Sequence, residues 1–208
     1  MTEVGNSKGN SPDPERGYVC IFAGLQHGAN EAYERDARTL GRLLAERGFG
    51  VVYGGNNAGL AGSVADEAQK NGATILAVLL GIDDDAMRTL QTQRPDMLGD
   101  RFISEPTLER RKRTMLSRAV AAIALPGGLG TNDEIATALE LGRRLLSVPS
   151  GSKLIVLNTL GFYAGTQQQI EAMESAGFMK NKVPGPWFAN TPEEAVDHIE
   201  VMLGEKGQ

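Results

Sequence analysis

The chain has 208 residues, 41% of them hydrophobic, with 26 glycines and a formal net charge of −5. That length suits one α/β domain with a sizeable core, and the mild acidity, with no basic stretch that stands out as a nucleic-acid footprint, argues against a nucleic-acid surface. No apolar run approaches the roughly 20 residues of a membrane span, and the single cysteine, Cys20, excludes an intrachain disulfide.

The first 17 residues are rich in Gly, Ser, Asn and Pro and lack an apolar signal core, so a disordered tail on a soluble, cytoplasmic protein is expected. Tyr18 to Ala23 is an apolar run ending at Gly24 and reads as the first strand, with Cys20 as a small core residue. Glu31 to Arg47 places Ala37, Leu40, Leu43 and Leu44 at helical spacing and closes on Gly48. Gly50 to Tyr53 is a second strand, running into Gly54-Gly55. Leu60 to Gln69 is a helix, Thr74 to Leu80 a strand, Asp84 to Leu90 a weaker helix, and Arg94 to Asp100 a loop. Arg101 to Ser104 is a short strand, Leu108 to Arg118 a helix, Val120 to Leu125 a strand, and Thr131 to Leu146 a helix. Lys153 to Leu157 is a strand, Phe162 to Ala176 a helix, and Glu193 to Leu203 the last helix. No repeat or second domain is visible, so residues 18–208 read as one domain.

Strands alternating with helices predict an α/β fold, a Rossmann-like doubly wound parallel sheet with helices on both faces. Ligands of such sheets sit beyond the carboxyl ends of the strands, where the winding reverses. Three strands here end in glycine, at Gly24, Gly54-Gly55 and Gly127-Gly128. A shared ligand crevice and ordinary tight turns both fit that pattern.

Leu125 to Glu134, LPGGLGTNDE, joins a strand to a helix through three glycines in four positions. Such a turn aims unpaired N–H groups and the positive end of a helix at one point, which suits a phosphate. It is not a dinucleotide fingerprint, because position 133 is Asp and Ser147 to Pro149 offer no acid for a ribose; no Walker A spacing occurs either. Thr131 and Glu134 also match a capping box, in which both side chains serve the helix end. Thr107 to Met115, TLERRKRTM, is the second cluster. Its basic residues at 110 to 113 spread around a helix, as a solvated face or as ligand contacts. Leu108 and Met115, seven apart, are expected to point at the core together, flanked by Arg111 and Lys112.

Together these clusters resemble the Lonely Guy family of cytokinin-activating phosphoribohydrolases, often mislabelled lysine decarboxylases. That family carries Arg-Lys-x-x-Met, a strand, then Pro-Gly-Gly-x-Gly-Thr-x-x-Glu. Here Arg111-Lys112-Arg113-Thr114-Met115 precedes Pro126-Gly127-Gly128-Leu129-Gly130-Thr131-Asn132-Asp133-Glu134 at the same interval. Tyr33, Leu40-Gly41, Val52-Tyr53-Gly54-Gly55, Gly59-Leu60-Ala61-Gly62, Leu157-Asn158 and Gly161-Phe162-Tyr163 extend the likeness over residues 18–203. There are departures. Ala23-Gly24-Leu25-Gln26 stands for Cys-Gly-Ser-Ser, Asn56 for a glycine, Leu108-Glu109-Arg110 for Met-His-Glu, and Glu140 for a Thr. Residues 83–100 do not align.

The resemblance implies a nucleotide-binding catalytic domain that hydrolyses the N-glycosidic bond of a nucleoside 5′-monophosphate. AMP or an N6-substituted AMP would give free adenine or cytokinin and ribose 5-phosphate. It implies Glu134 as the carboxylate that stabilises positive charge on the ribose, and Arg111 as its catalytic partner beside the leaving base. Lys112 would contact phosphate or ribose. Gly127, Gly128, Leu129, Gly130 and Thr131 would hold the phosphate, Gly24 would also bind the substrate or its phosphate, and Gly54, Gly55 and Gly59 would form the opposite wall. His27 reads as a ligand contact or as an ordinary loop residue. No cofactor is implied, and two histidines do not suggest a metal site. The implied partners are a small-molecule nucleotide and a second copy of the chain in a homodimer, with no nucleic acid and no membrane. The alternative is a non-catalytic nucleotide- or molybdenum-cofactor-binding protein of the same fold, which needs the glycine cradles but neither Arg111 nor Glu134. Lysine decarboxylation needs a Schiff-base lysine, and nothing in the sequence marks one.

Overall fold

Apolar runs and amphipathic stretches alternate in space as they do in sequence. The computed structural model describes residues 13–81, 101–145, 154–179 and 185–204. Within them lie seven strands: β1 (Tyr18–Phe22), β2 (Gly50–Tyr53), β3 (Ile75–Leu80), β4 (Arg101–Glu105), β5 (Ala119–Ala124), β6 (Leu154–Leu157) and β7 (Trp187–Ala189). The helices are α1 (Glu31–Glu46), α2 (Gly59–Lys70), α3 (Leu108–Ser117), α4 (Leu129–Leu145), α5 (Ala164–Ser175) and α6 (Pro192–Gly204). The weak helix expected at 84–90 and the loop at 94–100 lie outside the described residues.

The strands form one parallel sheet in the order β4-β3-β2-β1-β5-β6-β7. The period-two alternation of β1 divides the core between the two faces. Val19 and Ile21 pack with Leu40 and Leu44 of α1, Val64 of α2 and Val196 of α6. Cys20 and Phe22 pack on the other face with Met115 and Leu116 of α3 and Ile135 of α4. Cys20 is fully buried, as expected of a core thiol. The doubly wound arrangement read from the sequence is therefore present.

Three differences have local causes. β7 is only three residues long, and too short to show a strand pattern; its pairing with β6, Val156 to Phe188, makes it a strand. Phe162 and Tyr163 precede α5 instead of opening it. Thr159–Gly161 forms a 3₁₀ turn, and Asn158 Oδ1 accepts the Tyr163 N–H at 2.7 Å, which holds that turn in place. Residues 13–17, expected to belong to a disordered tail, dock on the body. Arg16 bonds Glu200 of α6 at 2.6 Å and lies over the Phe49 ring. No helix among the described residues is long and apolar enough to cross a membrane.

Candidate active site

The chain reverses its winding between β1 and β5, so the carboxyl ends of β2, β1 and β5 lie side by side. The loops that leave them carry Gly54, Gly24 and Gly127 and meet around one cleft of about 730 Å³. Both the place and the size are those of a small-molecule site in an open parallel sheet.

Two glycine loops cross at the floor of this cleft. The Gly24 N–H donates to the Pro126 carbonyl at 3.1 Å, and the Gly24 carbonyl accepts from the Leu60 N–H at 3.0 Å. The first loop is thus fastened to the glycine turn on one side and to α2 on the other. A Cβ on Gly127 would overlap the Thr131 hydroxyl and reach 2.9 Å from the Gly24 nitrogen, so no side chain fits there. Gly24 lines the cleft, but its N–H is committed to Pro126 and has no capacity left for an anion.

Helix α4 begins at Leu129, two residues earlier than the sequence pattern suggests. The Asn132 N–H donates to the Gly128 carbonyl at 3.1 Å, which puts Gly128 at the cap position. The amides of Leu129, Gly130 and Thr131 then belong to the first turn and have no intrahelical acceptor. They sit at the positive end of a 17-residue helix, and Gly128 and Gly130 face open space. This overturns the capping-box reading. The glycines let the chain enter the helix directly from the turn. Thr131 is therefore buried inside the first turn against Gly127, and Glu134 falls beyond the turn it was to cap.

Glu134 faces the cleft, and among the described residues no group donates a hydrogen bond to its carboxylate. Burial pushes that carboxyl up to about 7, against the opposing pull of the Arg111 and Lys112 charges. Arg111 reaches the same cleft from α3. Its Nε donates to the Val78 carbonyl at 2.7 Å and its Nη2 to the Gly54 carbonyl at 2.8 Å. A Cβ on Gly54 would overlap Nη2. Burial draws the guanidinium below its ordinary value, while the Glu134 charge acts in the opposite sense. A fixed cation and a desolvated carboxylate therefore share one cleft with a row of free amides.

The other expected site residues divide. Lys112 lines the cleft, but its ammonium bonds Asp133 Oδ2 at 2.7 Å and Thr137 Oγ1 at 2.9 Å, bridging α3 to α4. Gly54, Gly127, Gly128, Gly130 and Thr131 line the cleft; Gly55, Gly59 and Leu129 do not. Gly55 turns toward Ala77 and Leu79, Gly59 packs on the backbone of Leu25 and Gln26, and Leu129 is 88% exposed. Leu108 and Met115 do not point at the core together. Met115 is buried, whereas Leu108, the first residue of α3, is 58% exposed and borders the cleft. His27 lines the cleft with its Nδ1 3.4 Å from Glu34.

Sequence reasoning did not find the contact that supports the glycine turn. The Tyr163 hydroxyl donates to the Leu125 carbonyl at 2.8 Å, just before Pro126. Its only signal was the Gly161-Phe162-Tyr163 match.

The profile of a protein family described as "possible lysine decarboxylase" matches residues 61–199. A probable cytokinin riboside 5′-monophosphate phosphoribohydrolase of Oryza sativa subsp. japonica is 31% identical over 191 residues, covering 88% of this chain and 82% of the relative. An Arabidopsis thaliana cytokinin riboside 5′-monophosphate phosphoribohydrolase is 31% identical over 168 residues, covering 77% and 70%.

The chain belongs to the Lonely Guy family.

The two signature blocks of the Lonely Guy family thus lie on α3 and on the turn from β5 into α4, and both line the cleft. At one departure from the family pattern, Asn56, the side chain accepts from the Ala58 N–H at 3.0 Å and lines the cleft. Among solved structures, the molybdenum cofactor binding protein of Rippkaea orientalis is similar in fold, with a TM-score of 0.63 and 21% identity over 92% of this chain and 98% of that one. The molybdenum cofactor carrier protein of Chlamydomonas reinhardtii has a TM-score of 0.64 at 18% identity, over 93% and 99%. At these identities the likeness concerns fold alone.

Proposed function

We propose that this protein hydrolyses the N-glycosidic bond of a nucleoside 5′-monophosphate, AMP or an N6-substituted AMP, to free base and ribose 5-phosphate. The observation that carries the reading is the placement of Glu134. It is a desolvated carboxylate one turn beyond an anion-accepting helix start, in the same cleft as Arg111. A 5′-phosphate on the amides of Gly130 and Thr131, which line the cleft, brings its ribose toward Glu134. The names of the relatives described above support the same chemistry.

In this reading the bond between C1′ and the base nitrogen breaks with its electron pair going to the base, and a water oxygen bonds to C1′. Positive charge that grows on the ribose is stabilised by ionised Glu134, which also receives the water proton. Arg111 balances the negative charge of the departing base, which finally takes up a proton. Leu25, Leu108 and Phe162, exposed side chains that line the cleft, offer an apolar surface for a flat base. Assembly as a homodimer belongs to the same proposal.

The family description "possible lysine decarboxylase" calls for a lysine that forms a Schiff base. Lys112, which lines the cleft, has its side-chain nitrogen taken up by Asp133 and Thr137 and not presented to a ligand.

The deciding experiment is incubation with AMP, CMP and N6-isopentenyl-AMP, followed by chromatography for free base. Release of base from at least one adenine nucleotide is expected. Tight nucleotide binding without any base release sinks the enzymatic reading and favours a binding protein.

A further inference from the structure

Glu105 is the one charged residue counted among the buried polar side chains of the described chain, at 4% exposure, and it lies outside the cleft. It ends β4, the edge strand of the sheet. Its two carboxylate oxygens are taken by α3: Oε1 accepts from Thr114 Oγ1 at 2.7 Å, and Oε2 from Arg110 Nε at 3.0 Å. Its backbone carbonyl accepts from the Gly81 N–H at 2.8 Å, which ties the end of β4 to the end of β3. The Thr114 bond, and after it Arg110, hold its carboxyl below its ordinary value.

A buried carboxylate is a costly way to fasten a helix to a sheet, since an apolar contact of equal size gives comparable stability without desolvating a charge. Directional bonds add a constraint on rotation about the helix axis to the one that packing of Met115 and Leu116 supplies. Arg110 and Thr114 are four apart and share one face of α3. Arg111 follows Arg110 directly and must reach Val78 and Gly54 from that same turn. A small rotation of α3 lengthens both of its bonds. The Arg110 that departs from the family pattern thereby acquires a partner and a purpose.

We propose that Glu105 is a positioning residue, which sets the rotation of α3 through Thr114 and Arg110 so that the Arg111 guanidinium stays seated on the Val78 and Gly54 carbonyls. The inference rests on the proposed hydrolysis only for its kinetic readout.

The test uses Glu105→Ala, Glu105→Gln and Thr114→Val in the full chain. Gln keeps an acceptor for the Thr114 hydroxyl and Val keeps the shape of Thr, so at least these two should fold. The first measurement is the Arg Nε–H NMR signal assigned through Arg111→Lys. In the parent protein this proton is expected to be sharp and slow to exchange; in Thr114→Val and Glu105→Ala it should broaden and exchange faster, with recovery in Glu105→Gln. The second is base release from AMP. Misplacement of this kind costs on the order of 10- to 100-fold, and it should appear in kcat with KM little changed. An unaltered Arg111 signal in Thr114→Val overturns the proposal whatever the activity. If no nucleotide is hydrolysed by the parent protein, the functional reading fails while the NMR comparison still decides this one.

Discussion

Arg111 donates from Nη2 to the carbonyl of Gly54 at 2.8 Å, in space that a Cβ at position 54 would occupy. The glycine at the end of β2 therefore serves as the seat of a cation, and the sequence reading of Gly54 as a wall of the ligand site describes only part of its role. Gly54→Ala should displace the guanidinium without removing it. We expect kcat/KM for base release to fall on the order of 100-fold, with thermal stability little affected. Arg111→Lys should lose a similar amount, because one ammonium cannot reproduce the two-point contact of the guanidinium. Arg111→Ala should remove most activity. Parent-like kinetics in Gly54→Ala would show that the seating does not matter.

Glu134 separates binding from chemistry. Its carboxylate has no hydrogen-bond donor among the described residues, so replacing it by an amide breaks no visible contact. The amides proposed to hold the phosphate belong to the backbone of α4 and are untouched by the change. Glu134→Gln should lower kcat by about 10²- to 10³-fold or more, while the affinity for AMP, measured by calorimetry, stays close to that of the parent. Normal turnover in this variant would falsify the assignment.

The raised carboxyl of Glu134 has two consequences for pH dependence. The ionised form is the one that stabilises a cationic ribose, so kcat/KM should climb about tenfold per pH unit and level off near the carboxyl's value of about 7. A ¹³C-carboxylate titration of the free protein reads that midpoint apart from ionisation of the substrate phosphate. Stability runs the other way. Burial raises the carboxyl from 4.5 when unfolded to about 7 when folded, so between those values the folded state holds more protons and loses stability as pH rises. The contribution is complete below 4.5 and gone above 7. Glu134→Gln should thus be more stable than the parent at pH 8, by about 3 kcal/mol at most, and equal to it near pH 4.5. Urea denaturation at the two pH values checks this. A stability gain over the parent no larger at pH 8 than at pH 4.5 would mean that the carboxylate is well solvated.

Much of this was legible in the sequence because local patterns carried it. The alternation of apolar runs and amphipathic stretches marks most elements of the sheet and its layers, and the glycines after β1, β2 and β5 mark the cleft. What was missed depends on contacts between distant segments. Whether Lys112 reaches a ligand or Asp133 is decided by how α3 lies against α4, which spacing along one helix does not encode. Leu108 has the right interval from Met115 to be a core residue, but as the first residue of α3 it borders the open cleft and stays exposed. The capping box failed because Thr131 competed with Gly128 for the cap position, and the backbone freedom of a glycine gives no pattern that local reading can weigh. Glu105 looks like any strand-end acid until Arg110 and Thr114 are seen to close on it.

Tyr163 supplies the last prediction. Its ring is 1% exposed, and its hydroxyl is the donor to the Leu125 carbonyl, in the residue that joins β5 to the Pro126-Gly127-Gly128 turn. β5 ends at Ala124, so this carbonyl lies past the last strand residue, and it is buried with Leu125. Tyr163→Phe removes one oxygen and keeps the ring that packs edge-on against Phe162. The freed carbonyl is left without its partner, which should cost about 1–2 kcal/mol in urea denaturation. The same loss loosens the turn that presents the first-turn amides of α4. Affinity for AMP should therefore fall more than affinity for adenosine, which has no phosphate for those amides to hold. Calorimetry with the two ligands distinguishes this from general destabilisation, since a merely softer core weakens both alike. Equal losses for AMP and adenosine would leave Tyr163 as a packing residue with no part in shaping the anion site.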